Sequence, residues 1–113
     1  MTSLRAPVAV PVEVRASAAA DARRVFRLAV SVGDDGVRLE RAAPFEIGRP
    51  VEVRFALPEG TTLTLRAEVL HADSDDENRH EGAGGRELTF IEPPHEAREM
   101  IRAYVRSRLS LPS

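Results

Sequence analysis

The chain has 113 residues, the size of one ordinary domain, of which 42% are hydrophobic and 30% are charged. Its formal net charge of −2 argues against a general nucleic-acid-binding protein, whose surface would be basic overall. The absence of cysteine excludes a disulfide framework, a thiolate zinc site and a cysteine nucleophile.

The N-terminal segment superficially resembles a signal peptide, but its pattern argues against one. Pro7, Pro11 and Glu13 interrupt the apolar stretch, whereas a signal peptide needs an unbroken apolar region. No run in the sequence approaches the ~20 apolar residues of a membrane-spanning helix. We therefore expect a cytoplasmic protein that does not insert into a membrane.

Alternation of apolar and polar residues predicts three strands in the first forty residues. The first strand places four valines on one face: Val8, Val10, Val12 and Val14. The second strand is expected to turn Arg27 outward and four apolar side chains inward: Phe26, Leu28, Val30 and Val32. Gly33-Asp34-Asp35-Gly36 then reads as a hairpin turn into a short third strand.

Three more strands and one helix follow. The fourth and fifth strands alternate cleanly, with the apolar positions Val51, Val53, Phe55 and Leu57, then Leu63, Leu65, Ala67 and Val69. Strand character returns at 87–92. From 93–110 the apolar residues follow a 3.6-residue period typical of an amphipathic helix: Ala97, Ile101, Tyr104, Val105 and Leu109.

This pattern predicts an all-β fold with a C-terminal helix, built as a small antiparallel barrel or sandwich. We expect a single domain over 1–113, with strands within 7–92 and the helix over 93–110. The core is expected to contain Val10, Val12, Phe26, Leu28, Val30, Val53, Phe55, Leu65, Val69 and Phe90, with Ile101 or Tyr104 packed on the barrel. Residues 72–84 are polar and acidic without periodicity, which predicts a long hairpin loop.

The sequence offers little support for a metal site or for catalysis. Asp73, Asp75 and Glu77 have the spacing of calcium ligands, but Asn78 and Gly84 stand where a calcium loop needs glycine and glutamate. The three histidines share no ligand spacing, and no serine lies in a Gly-x-Ser-x-Gly motif. We therefore expect neither a metal site nor an enzyme.

The order of these segments resembles that of a PilZ domain, over nearly the whole chain. The matching segments are SVGDDGVRL, FEIGRPVEVRFALPEG, LRAEVLHAD and GGRELTFIEPP, followed by the closing helix. The resemblance implies a six-stranded antiparallel β-barrel with a C-terminal helix, in agreement with the strand pattern.

Many PilZ domains bind cyclic di-GMP, and the resemblance implies where such a site would lie. One family motif is Arg-x-x-x-Arg just before the first strand, and the other is Asp/Asn-x-Ser-x-x-Gly at the end of the second. Paired arginines can bind phosphate and read guanine edges. The acid or amide and the serine supply hydrogen bonds, and the glycine lets the backbone come close.

The first motif is incomplete in this chain. Arg5 alone is available before the first strand, and Met1 stands four residues earlier. Arg23 and Arg27 have the right spacing, but they lie close to Ser31, whereas the family places a whole strand between its motifs. We interpret their match as accidental.

The second motif is also incomplete. Without gaps, Ser31, Gly33 and Gly36 occupy its acid, serine and glycine positions. Alignment on Ser31 instead puts Ala29 in the acid position and inserts two residues before Gly36. The acid or amide is absent either way, and the Asp34–Asp35 pair adds negative charge that opposes phosphate binding.

We therefore expect a PilZ-like regulatory adaptor that acts through protein–protein contacts and does not bind cyclic di-GMP in the usual way. Degenerate members of the family suggest a role in bacterial motility or signalling, by analogy. No cofactor is expected, and the protein partner is not identified by the sequence. The expected interaction surface consists of arginines beside the turn: Arg23, Arg24, Arg27 and Arg38.

Two alternatives stay open. The chain could be a working cyclic di-GMP receptor that uses an unconventional arginine cluster. Its contacts would then come from Arg5, Arg23, Arg24, Arg27, Ser31 and Gly36. The other alternative is a purely structural module or one that forms homo-oligomers.

Overall fold

A computed structural model describes residues 5–16, 24–70 and 86–109 of the chain. This part contains six strands and one helix. They are β1 (Arg5–Ala16), β2 (Arg24–Gly33), β3 (Gly36–Leu39), β4 (Pro50–Ala56), β5 (Thr62–Val69), β6 (Glu87–Phe90) and α1 (His95–Leu109). The segment 72–84, for which a hairpin loop was expected, lies outside the described residues.

The six strands form a closed barrel in the order β1-β2-β3-β6-β5-β4, and every neighbouring pair is antiparallel. Pairing of Glu13–Ala16 of β1 with β4 closes the barrel. The predicted fold class, a six-stranded antiparallel barrel with a C-terminal helix, is therefore confirmed.

Inward-facing residues of all six strands form one hydrophobic core that includes the buried face of α1. The core contains most of the residues expected there: Val12, Val53, Phe55, Leu65, Val69, Phe90 and Ile101. Val10 and Tyr104 pack against it from half-buried positions. Alternation identified these positions because each strand buries only one of its faces.

The second strand turns its other face inward, and the expectation for Phe26 was wrong. Directly paired residues of antiparallel strands share a face, and the buried Val14 pairs with Val25. Phe26 instead pairs with Glu13 on the outer surface, where it is 68% exposed. Leu28, next on the same face, is only half-buried.

A bulge in β2 reverses the strand faces again, so that Val32 points toward the core as expected before the turn. Ala29 pairs with Leu39, but Ser31 pairs with Arg38, so Val30 is an extra residue in the β2–β3 ladder. Ala29 and Val32 are both fully buried, although they are three positions apart. The bulge thus changes which face of β2 points inward, and strict alternation cannot anticipate this.

The helix α1 begins soon after Pro93-Pro94, which suits the first turn of a helix. Ala97, Ile101 and Val105 form its buried stripe, and the helix contacts β1 and β2. Within the described residues, no helix has the length and apolar character needed to span a membrane.

Candidate functional site

Arg5, the first residue of β1, lies beside the β2–β3 turn because it pairs with Gly33 at the end of β2. Its guanidinium forms an ion pair with Glu87 at 2.6 Å and another with Asp35 at 3.3 Å. It also donates a hydrogen bond to the hydroxyl of Ser31 at 3.5 Å. Three chain segments therefore meet around one arginine side chain.

We call this group the strand-end cluster: Arg5, Ser31, Asp35, Arg38 and Glu87. Arg38 belongs to it because its guanidinium lies 3.6 Å from the Glu87 carboxylate. The strand-end cluster contains two arginines and two carboxylates, so it is formally neutral. An incoming phosphate would have to displace carboxylates that already bind Arg5, and it would meet their negative charge.

Gly36 is buried at this end of the barrel and pairs with Thr89 of β6. A Cβ atom here would overlap the carbonyl oxygen of Leu88 and approach the Cα of Thr89 to 3.1 Å. The missing side chain lets β3 and β6 come together. The close backbone approach that the family motif provides for a nucleotide is used here for strand packing.

Asp34, the other turn carboxylate, connects the hairpin to the helix. Its side chain is 14% exposed and binds Arg102 at 2.7 Å, with Arg98 at 3.6 Å. The hydrogen bond from Arg102 to Asp34 raises the pKa of the Arg102 guanidinium. Arg98 and Arg102 are four residues apart and therefore lie on one face of α1.

The remaining candidate arginines lie away from the strand-end cluster. Arg24 is nine positions before Gly33 on β2, roughly 30 Å away at about 3.3 Å per residue. Its guanidinium lies 3.4 Å from Glu13. Arg27 was expected to point outward, but it pairs with the buried Val12 and is half-buried. It donates hydrogen bonds to the backbone oxygens of Ala42 and Phe26, both at 3.0 Å. Arg23 lies outside the described residues.

The expected site residues therefore fall into two groups. Arg5, Ser31, Gly36 and Arg38 meet near the turn, whereas Arg24 and Arg27 lie along the distant part of β2. Sequence reasoning missed the carboxylate of Glu87 and the helix partners of Asp34. The spacing of Arg98 and Arg102 is the one signal that could have suggested a shared acidic partner.

The model of the PilZ domain family matches residues 2–107. The chain belongs to the PilZ domain family. PilZ domains are regulatory rather than catalytic and typically act on protein partners, so the chain is a PilZ-type regulatory domain. No curated protein sequence matches it.

Among the solved structures that are similar to this chain are two from bacteria. One is the Bacillus subtilis inhibitor of motility MotI/DgrA, with a TM-score of 0.74 and 15% sequence identity. The other is the PilZ domain of CeSA from a cellulose-synthesizing bacterium, with a TM-score of 0.60 and 21% identity over 95% of this chain and 96% of that one.

The alignment with MotI/DgrA covers 100% of this chain but only 53% of the B. subtilis chain, so the present chain spans about half of its length. At these identities the likeness shows a common fold.

Proposed function

We propose that this PilZ domain is a regulatory adaptor that acts through protein contacts and does not bind cyclic di-GMP in the usual way. The observation that supports this most is the double ion pair of Arg5 with Asp35 and Glu87. Arg5 is the one arginine available for the first family motif, and two carboxylates of the same chain already compensate its charge. This supports the proposal, because a nucleotide phosphate would have to displace carboxylates that already bind Arg5.

The sequence gives the proposal independent support. The position four residues before Arg5 holds Met1, and the acid or amide position of the second motif holds Ser31 or Ala29. Each lost hydrogen bond to a charged group weakens binding by about 1.5–3 kcal/mol, and two losses amount to about two to four decades of affinity. A micromolar site would thereby weaken to a dissociation constant of roughly 0.1 to 10 mM.

The place of the adaptor in the cell is part of the same proposal. The B. subtilis neighbour is an inhibitor of motility, and that protein supports a role for this chain in bacterial motility or signalling. We propose a cytoplasmic protein partner as its target.

Calorimetric titration with cyclic di-GMP tests the proposal directly. We expect no heat of binding at micromolar nucleotide, whereas a PilZ domain with both motifs intact should give a clear isotherm under the same conditions. Asp35→Asn/Glu87→Gln, which removes both negative charges from Arg5, should not restore micromolar binding because the second arginine is still missing.

Micromolar binding by the wild type would contradict the proposal. Loss of that binding in Arg5→Ala would then place a working cyclic di-GMP site at the strand-end cluster. Its loss in Arg24→Ala/Arg27→Ala, with Arg5→Ala still binding, would assign the unconventional arginine cluster instead.

A further inference from the structure

The outer surface of the barrel around Phe26 combines an exposed apolar group with surplus positive charge. We define the apolar corner as Phe26, Leu28 and Pro11. Phe26 is 68% exposed, and Pro11 pairs with Leu28 in the next row of the β1–β2 ladder. An exposed phenylalanine among apolar neighbours is the usual anchor of a protein interface, since aromatic side chains supply much of the binding energy there.

Two rows of paired outward residues cross the strands beside this corner. One row runs from Phe26 through Glu13 and Arg54 to Thr64, and the next runs from Arg24 through Arg15 and Glu52 to Arg66. The two rows contain four arginines and two glutamates, and so carry a formal charge of +2. The whole chain, by contrast, carries −2.

Half of these arginines are already compensated. Arg15 binds Glu52 at 2.7 Å, and Arg24 lies 3.4 Å from Glu13. Arg54 and Arg66 are exposed, and their side chains make no hydrogen bond or ion pair within the part of the chain that the structure describes. Glu68 pairs with Pro50 in the row beyond Arg66, so its carboxylate lies outside these two rows.

A shallow groove of about 90 Å³ lies between these rows, and its lining includes Arg24, Arg54 and Thr64. The outward face of these paired strands presents side chains, because the backbone groups lie in the plane of the sheet, so a partner on this face binds through side chains. The groove beside an apolar corner provides room for such side chains. We call the apolar corner and the two rows together the outer strand face.

We propose that the outer strand face binds an acidic protein segment that carries one large apolar anchor residue. The anchor packs on Phe26 and Leu28, and carboxylates of the segment pair with Arg54 and Arg66. A second copy of this chain would place uncompensated arginines opposite one another, and an RNA would meet the net negative charge of the chain. The inference rests on the proposed adaptor function and specifies the chemistry of its partner.

Selection from a displayed library of short random peptides on the wild-type chain tests this inference. The selected peptides should be rich in Asp and Glu around one Leu, Ile or Phe. Phe26→Ser and Arg54→Glu should each weaken the best peptide about tenfold or more in fluorescence anisotropy. Ile47→Ser and Arg108→Glu, which make the same changes at exposed positions outside this face, should leave its affinity unchanged.

A charge exchange makes the test specific. Arg54→Glu/Arg66→Glu should bind a version of the peptide in which lysines replace the acids, and this version should not bind the wild type. Recovery of no acidic, apolar-anchored peptide would overturn the inference, as would equal binding by the face variants and their controls.

Two other occupants would also overturn it. Tighter binding of a labelled single-stranded RNA that Arg54→Glu abolishes would assign the face to nucleic acid. A concentration-dependent dimer that Phe26→Ser dissociates would assign it to a second copy. The adaptor function itself fails only if cyclic di-GMP binds at micromolar levels, so the two failures can be told apart.

Discussion

Phe26 and Phe55 lie on neighbouring parts of the same barrel but have opposite environments. Phe55 faces the core and is 3% exposed, whereas Phe26 points outward at 68% exposure. Burial of a phenylalanine side chain contributes about 1.5–3 kcal/mol relative to leaving it in water. Phe55 therefore contributes to the stability of the core, whereas core packing does not constrain the residue at position 26.

Alanine substitutions of the two phenylalanines should therefore differ sharply. Phe55→Ala should lower the free energy of unfolding by about 3–5 kcal/mol, because it leaves a cavity in the core. Phe26→Ala should change it by about 0.5 kcal/mol or less, since the removed atoms are largely in water. Urea unfolding of the two variants measures both values. A loss of several kcal/mol in Phe26→Ala would place that ring in the core after all.

At the scale of elements, the two aspartates of the β2–β3 turn hold different parts of the molecule. Asp35 binds Arg5 of β1, and Asp34 binds Arg98 and Arg102 of α1. A single hairpin turn therefore connects the first strand and the last helix. This arrangement links the two elements through residues of the chain itself.

Removal of the Asp34 charge should loosen α1 while the barrel stays folded. Asp34→Asn weakens the attraction to both helix arginines, so the amides of Ile101 and Val105 should exchange faster with deuterium. Asp35→Asn is the matched control, because Asp35 binds Arg5 and not the helix. Equal exchange rates of the helix amides in the two variants would show that Asp34 does not hold the helix.

The sequence predicted some of these elements well and others poorly, for physical reasons. The strands from Val51 to Val69 alternate without interruption, and each buries one face, so their pattern identified both the strands and the core. The orientation of Phe26 depends on pairing with β1 and on the bulge at Val30, neither of which leaves a mark in local alternation. The ion pair of Arg5 with Glu87 joins β1 to β6, the first and the last strand in the sequence. Only the closed topology of the barrel predicts that these two residues lie close together.

At the scale of the whole molecule, one core joins the barrel and the helix. Ile101 and Val105 of α1 belong to the same buried cluster as residues from all six strands. The closing pair of the barrel, β1 with β4, joins segments that are distant in sequence. Local unfolding of one strand would expose the cluster as a whole, which favours cooperative behaviour.

We therefore expect the chain to unfold in one cooperative transition, as a single domain should. At about 0.7 kcal/mol per residue near 60 °C, the 113 residues should give an unfolding enthalpy of about 80 kcal/mol. Differential scanning calorimetry measures this enthalpy directly, and its ratio to the van't Hoff enthalpy should be close to one. Asp34→Asn should keep a single transition, because the buried stripe of α1 still belongs to the common core. Two separate transitions in the wild type would mean that α1 and the barrel fold independently, in conflict with a shared core.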